Sequence, residues 1–129
     1  MTTKLEADWI LKVMAAMAAA DHRLDAREVT LIQRVYEELT REPVDVSGVV
    51  SAVQVYARKD VLEELSEVAG SLSTKAKAAI LRGAYKTILA NSYVSQAERD
   101  TLDGIAAALQ LSGDDIDAVL AQAKKTQLL

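Results

Sequence analysis

The chain has 129 residues, half of them hydrophobic and 26% charged, with a formal net charge of −4. That length suits one domain able to bury its own core, and the balance is globular rather than disordered. With no cysteine there is no disulfide, thiol nucleophile or cysteine zinc site, and weak acidity without a Lys/Arg block argues against nucleic-acid binding.

Helical periodicity dominates, with one proline, five glycines and no phenylalanine. It predicts about seven helices. The first covers 4–20, where Ile10, Met14 and Met17 form a stripe beside Trp9 and Val13, and alanines fill 15–20. This is expected to be the most buried helix. The second covers 26–40, with Asp25 as N-cap, Glu28 three residues on, and Pro43 as the stop. Over 46–70 the apolar spacing slips near 58–60, so two shorter helices are expected, with Asp60 capping the second. The fifth covers 74–90 with Ile80, Leu81, Ala84, Tyr85, Ile88 and Leu89 inward. The sixth covers 96–109, capped by Ser95 with Glu98 three residues on. The seventh covers 113–125 behind Ser112, with a frayed tail at 126–129. The expected fold is therefore an all-α, single-domain bundle across 1–129, with its core at about 5–125. The most apolar stretch, 9–20, falls short of the roughly 20 residues a membrane span needs, and the N-terminal residues lack a signal-peptide pattern. Cytoplasmic localisation is the expectation.

Residues 15–39 and 85–109 align without gaps at an offset of 70. Asp21 falls on Asn91, Leu24 on Val94, Asp25 on Ser95 and Glu28 on Glu98. Ile32, Val35 and Leu39 fall on Leu102, Ile105 and Leu109. Each copy reads as a helix hairpin whose corner is plugged by Leu24 or Val94, giving two pseudo-repeated hairpins.

The sharpest local signal is the acidic turn Asp21–Glu28. It matches the back half of a calcium-binding loop, with Asp21, Leu24, Asp25 and Glu28 at positions five, eight, nine and twelve. Positions one and three are Met17 and Ala19, which offer no ligand oxygen, and the glycine position is His22. Calcium takes six to eight oxygens, so a standard calcium loop is excluded. A looser divalent site for Mg²⁺, Mn²⁺ or Ca²⁺ is the sharper alternative, built from Asp21, Asp25, Glu28 and Glu98, with Asn91 and Ser95 of the second turn adding oxygens. The plainer reading is that Asp25 and Ser95 cap helices while Glu28 and Glu98 reach back to them.

Catalysis finds no support. His22 is the lone histidine, and no phosphate loop, nucleophile elbow or His-Glu-x-x-His motif is present. Met14 and Met17 read as core, and the four tyrosines are too scattered to form a stacking platform. No catalytic residue and no certain cofactor are assigned.

Together the two turns resemble those of the tellurite-resistance TerB-like family, whose hairpins carry an Asp-Gly-x-Ile-x-x-x-Glu pattern. The residues that match are Asp21, Leu24, Asp25 and Glu28, then Asn91, Val94, Ser95 and Glu98. The run Leu109-Gln110-Leu111-Ser112 resembles the family's lead into a last capped helix. The resemblance covers about 5–125. It implies a cytoplasmic helical bundle linked to tellurite and stress resistance, in a family also found fused to other modules. It also implies acids that hold a divalent metal, here Asp21, Asp25, Glu28 and Glu98. This chain departs from the pattern at His22, Asn91 and Ser95. An acidic turn repels the tellurite oxyanion, so direct tellurite chemistry is not expected. The resulting expectation is a non-catalytic interaction module whose partner is another protein, or a second copy in a homo-oligomer. A weak divalent-metal domain is the alternative.

Overall fold

A helix start leaves amide hydrogens that no helical carbonyl can reach, and every helix here begins at a side chain that accepts one. The computed structural model describes residues 3–20, 25–89 and 95–127. Helix α1 (Lys4–Ala20) starts at Thr3, whose Oγ1 accepts from the Glu6 amide at 3.2 Å while the Glu6 carboxylate accepts back from the Thr3 amide at 3.4 Å. Helix α2 (Ala26–Thr40) is capped by Asp25, α3 (Val46–Tyr56) by Asp45 and α4 (Val61–Val68) by Asp60. A 3-10 turn, Ala69–Ser71, follows. Helix α5 (Thr74–Leu89) starts behind Ser73, whose Oγ accepts from the Ala76 amide at 3.1 Å. Ser95 caps α6 (Gln96–Ala108), and Ser112 caps α7 (Gly113–Gln127) through the Asp115 amide. Among the described residues these seven helices carry the fold and no strand occurs.

Helices α1 and α5 pack against each other at the centre. Helix α3 lies on α1 and α7 on α5, while α6 also meets α1 and α2 also meets α5. Helix α4 covers α6. The core runs through Ile10, Val13, Met14 and Met17 of α1 and Ile80, Leu81 and Ala84 of α5. At Gly83 a Cβ would stand 3.4–3.5 Å from Ile10, Met14 and Leu39. This is ordinary van der Waals contact where three helices converge.

The first helix is the most buried, as expected, and α5 packs against it at the centre. Several other expectations need correction. With neighbours on several sides, α5 is buried well beyond one stripe. Lys86 and Thr87 are buried, whereas the expected inward residues Tyr85 and Leu89 are only half-buried. Val46, where the apolar spacing expected over 46–70 begins, is exposed. It is the first residue of α3, beyond the reach of the α1 surface. Residues 126 and 127 continue α7 rather than fraying. The split at 57–60 and the cap at Asp60 are as expected. The corner residues Leu24 and Val94 lie outside the described residues.

Helix α2 does not end at Pro43 itself. Arg41 adopts a left-handed conformation, φ 65° and ψ 17°, and its amide closes on the Glu37 carbonyl. The side-chain amide of Gln33 then donates to the Val44 carbonyl, tying the following loop back onto α2.

Candidate functional site

The candidate residues gather at the starts of α2 and α6. At α2 the exposed Asp25 carboxylate accepts from the Glu28 amide at 2.9 Å, and Glu28 is buried, 8% exposed. At α6 the box is complete on both sides. Ser95 Oγ accepts from the Glu98 amide at 3.1 Å, and Glu98 Oε1 accepts from the Ser95 amide at 3.1 Å. Ser95 Oγ also donates to Glu98 Oε1 at 3.3 Å. Glu98 is 1% exposed. A carboxylate taken out of water needs donors around it, and the cap supplies them.

Four of the named residues, Asp25, Glu28, Ser95 and Glu98, are therefore placed at helix starts. Asp21 and Asn91, with His22 between the first pair of acids, lie outside the described residues. Among the described residues no three His, Cys, Asp or Glu side chains assemble to hold a metal ion. The chemistry on view at Ser95 and Glu98 is helix termination, which uses the oxygens a cation would need. Among the described residues no helix is long and apolar enough to cross a membrane.

Two ion-paired links among the described residues were not foreseen from the sequence. Lys86, 3% exposed on α5, donates to the half-exposed carboxylate of Glu38 on α2 at 2.5 Å. The signal for it was faint. Lys86 sits among small and apolar residues in the second half of α5, where a single inward stripe left it outside. Burying an ammonium is costly unless it is paired, and Glu38 supplies the pair from the surface side. The second link joins α3 to α4. Tyr56 donates to Glu64 Oε2 at 3.0 Å, and Lys59 pairs with Glu64 Oε1 at 3.2 Å. Burial, then the bond to Glu64, pushes the Tyr56 hydroxyl up to about 12. The bonds from Tyr56 and Lys59 hold the Glu64 carboxyl below its ordinary value.

The exposed surface is uneven. Helix α3 carries no charged side chain over its eleven residues, and Val46 and Val55 are 54% and 46% exposed. Helix α7 presents Asp114, Asp115 and Asp117 to solvent. Compared with known proteins, the chain matches no family model, no curated protein and no solved structure.

Proposed function

We propose that this chain is a TerB-like, non-catalytic helical domain that works as a cytoplasmic protein-interaction module, in systems of the stress- or tellurite-resistance type. The observation that carries the interaction reading is α3. A helix on the outside of a net-acidic domain ordinarily turns charge to water, yet this one is uncharged and exposes two valines. Its exposed side, Ser47, Ser51, Gln54 and Val55, carries no charge and so loses little on desolvation when a partner covers it.

The TerB-like kinship rests on the two turns and on how the helices are spaced. Helix α1 begins at 4 and α5 at 74, while α2 begins at 26 and α6 at 96, each pair at the offset of 70 seen in the sequence. The caps follow the same offset, Thr3 with Ser73 and Asp25 with Ser95. The packing is also nearly preserved when the halves are exchanged. Helix α3 lies on α1 as α7 lies on α5, and α6 meets α1 as α2 meets α5. We read this as two pseudo-repeated hairpins, with α4 an insertion that covers α6.

The test is affinity purification of the full chain from its native cells, beside Val55→Glu. The expected result is a reproducible partner that the variant loses while its helical circular-dichroism signal and melting temperature stay unchanged. Retention of every partner by a folded Val55→Glu variant overturns the assignment to α3. A saturable divalent-metal response at the α2 and α6 starts would favour the metal-domain alternative.

A further inference from the structure

We propose that the cleft between the first half of α5 and the end of α2 binds a small organic anion, a carboxylate or a phosphate ester. The cleft encloses about 620 Å³, within the range of small-molecule sites. One wall is a single face of α5, where Lys75, Ala78, Ala79 and Arg82 recur at helical spacing. The alanines leave the hollow, and the cations stand at its two ends. The other wall is the close of α2, with Leu39 and Arg41.

Three cations line this space in a chain of net charge −4. Among the described residues, Arg41, Lys75 and Arg82 have no carboxylate within ion-pair distance. Arg82 is held in place by donating from Nη2 to Gln122 Oε1 at 2.9 Å, and its Nε–H is buried without an acceptor. The guanidinium is thus oriented by Gln122 and meets no counter-charge among the described residues.

Two of these cations sit where helix building favours something else. Lys75 lies in the first turn of α5, at the positive end of the helix dipole, with no acid in that turn to offset it. Arg41 holds the left-handed conformation, φ 65°, that glycine adopts at far lower cost. Strain of this kind that persists at a cleft points to use of the side chain.

Two acids also line the cleft, Glu6 and Glu42. Glu6 is engaged by the Thr3 amide, and Glu42 extends into the neighbouring hollow beside Tyr36. One positive charge remains in excess, over an alanine and leucine floor. That combination suits an anionic head on a short apolar body and disfavours a cation. It does not rest on the docking role of α3.

The test is an NMR titration of the full, isotope-labelled chain with citrate, glycerol 3-phosphate and inorganic phosphate, against sodium chloride at matched ionic strength. The expected result is a saturable shift of amides at 39–42 and 75–82 with a carboxylate or a phosphate probe, and whichever saturates identifies the headgroup. Lys75→Gln and Arg41→Gly should each weaken binding about tenfold, the loss of one charge-assisted hydrogen bond. Arg41→Gly should also raise the melting temperature, so its weaker binding cannot come from unfolding. Shifts that follow ionic strength alone, no saturation with any probe, or unchanged affinity in both variants overturn the proposal.

Discussion

The pair α1–α2 and the pair α5–α6 begin in the same register, and they agree where folding demands it and differ where it does not. Ile10 and Ile80 are both fully buried, and Glu28 and Glu98 are both buried behind a capping side chain. Yet Lys86 is a buried cation where Ala16 stands 70 residues earlier, and its partner Glu38 has Ala108 as its counterpart. The cleft cations Lys75 and Arg82 face positions Leu5 and Lys12 in the other half, and Lys12 instead stands over the Trp9 ring at 4.6 Å. What the two helix pairs share is the part that makes helices stop, start and pack. What only one pair holds is where a ligand or partner role is to be sought.

The largest expected effect tests the shared core. Ile10→Ala and Ile80→Ala should each cost about 2–5 kcal/mol in denaturant melts. A much smaller loss in one would break the equivalence of α1 and α5. The next effect tests the asymmetric pair. Glu38→Gln leaves the buried Lys86 ammonium without its counter-charge and should cost about 1–3 kcal/mol. Lys86→Met removes the charge and fills similar space, so it should cost less. The reverse order would mean that Lys86 is placed by packing of its stem, not by its charge.

Much of the fold was legible because burial and capping leave local marks. The apolar stripes of α1, α2 and α6 and the caps Asp25, Asp60, Ser95 and Ser112 each depend on residues within a few positions. Two features were not legible for the opposite reason. The burial of Lys86 depends on Glu38, 48 residues away in sequence. The cleft depends on the end of α2 meeting α5, a contact that periodicity cannot encode. The candidate site was half legible. Asp25, Glu28, Ser95 and Glu98 stand at helix starts as their spacing implies, and Asp21 and Asn91 lie outside the described residues.

Capping should prove a smaller, paired effect. Ser95→Ala and Asp25→Ala should each lower stability by ~1 kcal/mol. Ser95→Ala should cost at least as much, because both halves of its box are made. A neutral result at Ser95, measured by chemical denaturation, would separate the two helix starts. The smallest effect belongs to the α3–α4 link. Glu64 has a lowered pKa in the fold, so its contribution is present at neutral pH and is lost as pH falls through the carboxylate range. Tyr56 has a raised one, so its contribution holds below pH 10 and fades as pH rises toward about 12. Stability measured from pH 7 to pH 3 should therefore fall less in Glu64→Gln than in the unmodified chain, by under ~1 kcal/mol for a link this exposed. Equal slopes would remove Glu64 from the acid response.

The most direct measurement follows the amides of Glu28 and Glu98 by NMR during titration with Mg²⁺, Mn²⁺ and Ca²⁺, in the unmodified chain and in Glu98→Gln. If Asp25, Ser95 and Glu98 serve to cap these helices, neither amide shifts saturably at millimolar metal. The variant also keeps its melting temperature within a few degrees, since a glutamine side chain reaches the same Ser95 amide. A saturable shift at both helix starts that Glu98→Gln abolishes would show a shared cation site and contradict the capping role.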